Sequence, residues 1–320
     1  MVEAWPRRED APVTRGNATM SAWRAAADPD DLREYDRFGP WVDQVGREIE
    51  MPRCFRDWYP ELAHARFLLK VPRHLDRAQA RPGMDLYRAV LAVFPDRLRL
   101  LQLEDGGVSQ RELALEQVVA TNTYSNLLLG RWSLLVSDGS SVDLEYNNVS
   151  RTRIAQVDRF VRSAGGSSAS ALSDAPAVLV SDHYFSTLLF ELRSTSGESV
   201  RPIHVEGRSR PCRDERLRHR LTTGLMVLAS PSELVVVNRG GTMRSRFRRA
   251  DYASNVLRIP YSRMTSFAVL PAPDEPAGQF HELQVTCGSQ VIRQACLARP
   301  EAVRATLLDR GIVQVEPASR

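Results

Sequence analysis

The chain has 320 residues, of which 43% are hydrophobic and 26% are charged, as in an ordinary globular protein. Its net charge of +4 is small against 43 basic and 39 acidic residues, so we expect a paired, solvated surface and no nucleic-acid partner. No apolar stretch reaches the roughly 20 residues that cross a bilayer, and the N-terminus lacks the apolar core of a secretory signal, so we expect a cytoplasmic protein.

The N-terminal part predicts a disordered leader followed by a short helical arm. Residues 1–27 lack apolar periodicity, and Met20 is an alternative start. In the arm, residues 28–82, Asp28 suits the N-cap of a first helix, with Pro29 at its first position. Helical spacing predicts two further short helices, one through Val42, Val45 and Ile49 and one through Leu62, Ala65 and Leu69.

The arm is rich in large aromatic side chains, each of which buries about 150–250 Å² when packed. One interpretation is that these rings anchor the arm on the domain that follows. The other is that Phe38, Trp41 and Trp58 form an exposed patch that docks a partner. The sequence leaves open whether residues 28–82 pack on that domain.

Residues 83–164 predict a β-rich domain that ends in a single helix. Short apolar runs alternate with turn signals between Leu86 and Tyr146, and Asp138-Gly139 is a tight hairpin signal. Ser150 suits the N-cap of the closing helix, which carries one apolar stripe.

Residues 177–320 repeat this order after a linker at residues 165–176. The segment 177–206 predicts an extra N-terminal hairpin, because two apolar runs flank a polar turn. Further strands are expected from Leu221 onward. Pro300 suits the first turn of a last helix.

Both halves resemble the bacterial relatives of the pleckstrin-homology domain. The likeness lies in the order of strand, aromatic corner, glycine-turn hairpin and final helix at Leu113–Phe160, and in Val256–Leu308, where Leu257–Tyr261 stands for the matching strand. The resemblance implies a mainly β (α+β) fold with two bent antiparallel sheets or barrels, each closed by a C-terminal helix. The two pleckstrin-homology-like (PH-like) domains would be residues 83–164 and 177–320.

Members of that family bind phosphoinositide headgroups, peptides or proteins, and many are scaffolds, so the fold alone does not decide the function. Their lipid-binding members use Lys and Arg in the loop that joins the first two strands. We place these loops near residues 95–97 and 228–233, where Arg97 is the only basic residue. A basic run one loop later supplies the anion-binding candidates Arg244, Arg246, Arg248 and Arg249.

Sequence motifs for catalysis are missing. The chain has no GxSxG, HExxH or P-loop motif, and its four cysteines lack the spacing of zinc ligands. We therefore predict no metal, no cofactor and no enzymatic activity. His183 and His64 are the residues to examine if a dispersed site lies between the domains.

The sequence supports three hypotheses of function. The leading one is a non-catalytic cytoplasmic binding or scaffold protein that recognises a protein or peptide partner, by strand addition at a sheet edge or in a groove between sheet and helix. The second is peripheral attachment to an anionic membrane surface through Arg244–Arg249, with a contribution from Arg208–Arg220. The third is an enzyme with a dispersed site between the domains. The partner's identity and the oligomeric state cannot be read from the residues.

Overall fold

The computed structural model describes residues 22, 24–164, 178–196, 199–207, 224–239, 253–271 and 281–316, and their fold is mainly β. The helices are α1 (Pro29–Arg37), α2 (Tyr59–Leu62), α3 (Arg151–Ser163), α4 (His183–Ser196) and α5 (Glu301–Asp309). The strands are β1 (Asp43–Gln44), β2 (Phe67–Pro72), β3 (Tyr87–Val93), β4 (Arg97–Glu104), β5 (Gly107–Ala114), β6 (Val118–Asn126), β7 (Leu129–Val136), β8 (Ser141–Asn147), β9 (Arg201–Glu206), β10 (Leu225–Ala229), β11 (Glu233–Arg239), β12 (Ser254–Pro260), β13 (Ser266–Pro271), β14 (His281–Cys287), β15 (Gln290–Leu297) and β16 (Val313–Gln314). Within these ranges no helix combines the length and the apolar character that crossing a membrane requires.

The strands form three sheets. Their orders are β1-β2-β3-β4-β5, β8-β7-β6-β12-β11-β10-β9 and β15-β14-β13-β16, and neighbours are antiparallel except for the parallel pair β13 and β16. Within the described part of the chain none of the three sheets closes on itself, so the barrels that the resemblance implies as one form of the fold are not seen there.

Each half of the chain repeats one order of elements. In the first unit, residues 67–163, the strands β2–β5 and then β6–β8 are followed by α3. In the second unit, residues 201–309, the strands β9–β12 and then β13–β15 are followed by α5. The helix positions predicted from Ser150 and Pro300 are confirmed, since α3 and α5 each begin one residue later.

The two units share the seven-stranded sheet. Strand β6 of the first unit pairs with β12 of the second, from Thr121 opposite Arg258 to Ser125 opposite Ser254. We call this pairing the seam. Ala120 of β6 packs in the hydrophobic core of the second unit, so the seam joins the units by side chains as well as by backbone hydrogen bonds.

The arm packs on the first sheet. Phe55 and Leu62 are fully buried in a cluster with Val90 of β3, on one face of that sheet. The opposite face carries the first unit's main core, which contains Trp132, Tyr146 and the apolar stripe of α3.

Of the two further helices predicted in the arm, the first is not an α-helix in the described structure and the second is shorter than expected. Asp43–Gln44 is strand β1, and Phe67–Pro72 is strand β2, which pairs with β1 and β3. Residues Leu68–Val71 are all buried, so this run is covered on both faces and forms a strand despite its helix-like spacing. Of the second predicted helix only the start forms, as α2 at Tyr59–Leu62, and short 3-10 helices lie before it at Glu48–Glu50 and Arg53–Trp58.

The hairpin predicted at residues 177–206 is wrong, because helix α4 comes before β9. Phe185, Leu189 and Leu192 recur at helical spacing on the buried face of α4. They pack against a cluster that includes Met226 of β10 and Val235 of β11.

Ser150 does not cap α3, although it directly precedes that helix. Its hydroxyl oxygen accepts a hydrogen bond from the backbone N–H of Val42 at 2.8 Å, which ties the arm to the start of α3. Asp28 does cap α1 as predicted, since its carboxylate accepts from the N–H of Asp30 at 2.8 Å.

Candidate functional site

A cleft of about 260 Å³ lies over the seam. Helix α3 of the first unit lines one side and α4 lines another, while strands β6, β8 and β12 supply the remaining lining. We call it the seam cleft. It brings together residues that are far apart in sequence, such as Thr123 and Val256.

A buried ion network crosses between the two units beside the seam cleft. Asp158 accepts from the indole N–H of Trp132 at 2.9 Å and from Arg162 Nε at 2.9 Å. Arg162 also donates to Glu233 of β11 at 2.5 Å, and Arg258 of β12 donates to the other oxygen of the same carboxylate. We call these four charged residues the ion network.

The electrostatics of the ion network favour its charged form. Burial by itself would raise the pKa of the Asp158 carboxyl, but the positive charges of Arg162 and Arg258 hold it below its ordinary value. Burial likewise works against the charge of Arg162, and the nearby Asp158 and Glu233 raise its pKa above the ordinary value. The network is thus an ion-paired link between the units, in which each carboxylate has an arginine partner.

Tyr146 of β8 lines the seam cleft with an unsatisfied hydroxyl group. The residue is 1% exposed, and its hydroxyl oxygen has no hydrogen-bond partner among the residues that the structure describes. Burial, together with the nearby charge of Asp158, raises the pKa of Tyr146, so the phenol keeps its proton. The ring lies so close to Gly130 that a Cβ atom there would come within 2.5 Å of it.

Two exposed arginines of α3 line the mouth of the seam cleft. Arg151 lies 3.6 Å from Glu191 of α4. Arg159 has no carboxylate partner among the residues that the structure describes. The α4 side is partly apolar, with Leu188 and Leu192 in the lining.

An exposed apolar turn lies beside the seam cleft. Leu127 and Leu128 join β6 to β7 and are 67% and 65% exposed, and Leu129 and Val149 next to them are exposed too. We call these four residues the leucine turn. Leu127 has a φ of 53°, a left-handed conformation that favours glycine.

The leucine turn lies at the end of the seven-stranded sheet where two long connections also begin and end. The strand register places five residues at this end, namely Ser125, Ser254, Asn238, Leu225 and Glu206. The connections are residues 208–223, between β9 and β10, and residues 240–252, between β11 and β12. Their sequences hold six and four arginines, against two and one acidic residues.

The predicted anion-binding residues Arg244, Arg246, Arg248 and Arg249 lie outside the described residues. The structure fixes only where their connection starts and ends, at Arg239 and Ala253.

The three aromatic docking candidates do not form one patch. Phe38 is buried and makes an edge-to-face contact with Tyr87, with ring centroids 5.8 Å apart. Trp58 is partly buried in the arm's cluster. Trp41 is 51% exposed and is the one of the three whose ring is available at the surface.

The structure does not place the predicted histidines in the seam cleft. His183 lies at the start of α4 and His64 lies in the arm, and both are exposed outside the cleft lining. Within the described ranges no group of His, Cys, Asp and Glu side chains is arranged to hold a metal ion. Burial raises the pKa of the thiols of Cys54 and Cys287 to about 12, which keeps both protonated.

Sequence reasoning missed Tyr146, Arg159 and the seam cleft itself, since nothing local marks them. The leucine turn did leave a signal, because three consecutive leucines follow Asn126 where the chain reverses. No family model matches this chain, and no curated protein matches it.

Proposed function

We propose that this chain is a non-catalytic binding protein built from two PH-like units, and that it docks on an anionic membrane surface through the leucine-turn end of the seven-stranded sheet. The PH-like interpretation is supported by the repeated order of four strands, three strands and a helix. One observation carries the docking proposal: the exposed apolar turn and two arginine-rich connections meet at one end of one sheet.

The two connections that begin and end here carry more net positive charge than the chain as a whole. The two connections hold ten arginines and three acidic residues, whereas the whole chain has a net charge of +4, so the rest of the chain is net negative. Each basic residue near an anionic leaflet contributes about 1 kcal/mol of attraction. Wherever these arginines lie, their connections attach them to the end of the sheet that carries the leucine turn.

The leucine turn supplies an apolar contact at the same place. Burying a leucine side chain contributes roughly 1.5–3 kcal/mol relative to leaving it in water. Leu127 also holds a strained backbone conformation that a glycine would adopt freely. A large apolar side chain that is both exposed and strained is of little use to the fold itself, which favours a role in contact with another surface.

The resemblance to PH domains supports the proposal once the strands are assigned from the structure. The lipid-binding loop of that family joins the first two strands, and the sequence alone predicts it near residues 228–233 in the second half. The first two strands of the second unit are β9 and β10, so the equivalent connection contains residues 208–223. That connection is rich in arginine.

A second candidate function is the scaffold that recognises a protein or peptide partner. The observation that favours it is the seam cleft, which lies between a sheet and two helices and is large enough to take a side chain or a small ligand. We also propose a cytoplasmic location, which is compatible with both candidates.

Liposome flotation tests the membrane proposal. The full chain should float with phosphatidylcholine vesicles that contain phosphatidylserine and stay behind with pure phosphatidylcholine, and added salt should weaken the binding because exposed charges are screened. The Leu127→Gly and Leu128→Ser variants should each bind about tenfold more weakly, which corresponds to the loss of one buried apolar side chain.

The control is Val291→Ser, which removes an exposed apolar side chain from β15, in a different sheet. It should bind the vesicles like the wild type. Absence of flotation with phosphatidylserine, or flotation that neither salt nor the two leucine substitutions change, would rule out the proposal.

A further inference from the structure

Trp41 of the arm is a large aromatic side chain that the fold leaves half exposed. The structure describes three tryptophans, of which Trp132 is buried in the first unit's core and Trp58 is partly buried in the arm's cluster, whereas Trp41 is 51% exposed. Its ring lies against the backbone of Gly39, so close that a Cβ atom there would overlap it. The protein thus holds one part of the ring in place and leaves the rest at the surface.

The backbone of the arm brings Trp41 towards the leucine turn. The N–H of Val42 donates to the Ser150 hydroxyl at 2.8 Å, and the Asp43 carboxylate lies 3.2 Å from Arg153 Nη1. Going back from Asp43 to Val42, the partner in the first unit changes from Arg153 to Ser150, towards the start of α3. Trp41 continues in this direction, and the residue directly before Ser150 belongs to the leucine turn.

The charges at the start of α3 do not oppose contact with an anionic leaflet. Arg151 and Arg153 lie in the first turn of this helix, which holds no acidic residue. The carboxylates of Glu191 and Asp43, which face these arginines, are each paired with one of them. Because the N-terminus of a helix carries a partial positive charge, α3 adds positive charge to this balanced set.

The indole of tryptophan is favoured at the boundary between lipid headgroups and acyl chains. The ring is large and apolar, but it carries an N–H group that needs a hydrogen-bond partner, so tryptophan is enriched at this level of the bilayer. A leucine side chain has no polar group and contributes most when it is removed from water entirely. A surface with both kinds of side chain therefore matches the two levels of one leaflet.

We propose that Trp41 is a second contact of the chain with the anionic membrane, with its indole among the lipid headgroups while the leucine turn enters the acyl region. The inference rests on the membrane proposal and adds how the chain lies on the bilayer. Two separate contacts restrict tilting of the bound chain and hold the start of α3, which lies beside both, against the lipid surface.

Quenching of tryptophan fluorescence by brominated lipids tests the depth of Trp41, because bromine quenches an indole only at close range. The background carries Trp5→Phe, Trp23→Phe and Trp58→Phe, which leaves Trp41 and the buried Trp132 as an internal reference. In phosphatidylserine-containing vesicles, phosphatidylcholine brominated near the headgroup end of its acyl chains should quench more than phosphatidylcholine brominated near the chain ends. Adding Trp41→Phe should abolish this quenching.

Vesicle flotation gives a second readout in the otherwise unchanged chain. Trp41→Ala should weaken binding to phosphatidylserine-containing vesicles about tenfold, and Trp41→Phe by less, because phenylalanine keeps part of the apolar area. The matched control is Leu308→Ala in α5, since Leu308 is 49% exposed. It lies near the opposite end of the seven-stranded sheet, where Arg310 donates to the carbonyl groups of Ser230 and Pro231, and it should bind like the wild type.

The result that contradicts the inference alone is a chain that floats and loses binding with Leu127→Gly, yet binds equally well with Trp41→Ala and shows no quenching that depends on Trp41. Stronger quenching by bromine near the chain ends would also overturn it, since the indole would then lie inside the acyl region. Absence of flotation would overturn this inference together with the membrane proposal. The two failures are therefore distinguishable.

Discussion

Asp158 is the residue on which the ion network depends most directly. The residue is 5% exposed, and its carboxylate accepts hydrogen bonds from Trp132 and Arg162. A buried ion pair contributes little net stability compared with apolar residues of the same shape, since desolvation offsets the attraction. Removing one partner is different, because it leaves the other charge buried and uncompensated.

We expect Asp158→Asn to lower the free energy of unfolding by about 3–5 kcal/mol at neutral pH, because Arg162 then loses one of its two carboxylates. The pKa of Asp158 is lowered in the folded state. Its contribution to stability is therefore present above the ordinary carboxyl pKa and is lost as the pH falls through the lowered value.

Urea unfolding of the wild type and the variant at several pH values measures this difference. The gap between the two proteins should be full near neutral pH and should shrink in the acid range. Asp57→Asn, at an exposed carboxylate in the arm, is the control and should have almost no effect. A pH-independent gap would show that Asp158 stabilises the fold by shape and not by charge.

At the scale of elements, local sequence signals were sufficient to predict some of the strands and helices. The hairpin at Asp138-Gly139 forms where predicted, and Gly139 has a φ of 91°, which explains why glycine is needed there. The final helices of both units could also be predicted from the sequence, because each begins one residue after Ser150 or Pro300 and carries an apolar stripe within its own few turns.

Two other elements were predicted wrongly, because a short apolar run fits both the helical and the strand periodicity. In α4, the run from Phe185 to Leu192 contains enough consecutive apolar residues to resemble a strand. Leu62, Ala65 and Leu69 have helical spacing, yet Leu62 ends α2 and Leu69 belongs to β2, a strand covered on both faces. Burial on each side decides such cases, and burial is set by tertiary contacts that the local sequence does not contain.

The seam and its cleft could not be predicted from the sequence. Leu257 pairs with Asn122 across a separation of more than one hundred residues, and both lie in strands that read as ordinary members of their own half. The ion network could not be predicted for the same reason, because Asp158 and Glu233 are connected through their ion pairs with Arg162 and are far apart in sequence. The leucine turn is local and was therefore visible as a sequence pattern.

The central position of strand β12 in its sheet predicts that its backbone amides exchange hydrogen slowly. It lies in the centre of the seven-stranded sheet, with β6 on one side and β11 on the other. Amides in central strands exchange only when the whole structure opens, whereas edge strands open locally. We expect the amides of Val256 and Leu257 to exchange as slowly as the most protected amides of either unit.

Native-state hydrogen exchange followed by mass spectrometry measures this protection. The edge strands β8 and β9 of the same sheet serve as the internal comparison and should exchange faster. If β12 and β6 exchange as fast as these edges, the seam is a loose contact and the units are stabilised separately.

On the scale of the whole molecule, the two units are expected to behave as one folding unit. The sheet runs through both, the ion network connects α3 to β11 and β12, and Val119 and Ala120 of the first unit lie in the core of the second. Separating the units would expose that apolar surface and leave the backbone groups along one edge of β6 unpaired. It would also leave charges of the ion network without their partners.

Cutting the chain between the units therefore should not separate them. We expect a protein with a protease site inserted within residues 165–177, which connect α3 to α4, to elute as a single species of unchanged size after cleavage, because the seam and not the connection holds the halves together. Before the cut, its thermal unfolding should be a single transition.

Adding Asp158→Asn to the cleaved protein should make the halves dissociate more readily, since Asp158 orients Arg162 toward Glu233 across the seam. Two folded halves that elute apart immediately after cleavage would mean that each unit completes its own core, and the seam would then be a contact between independent domains.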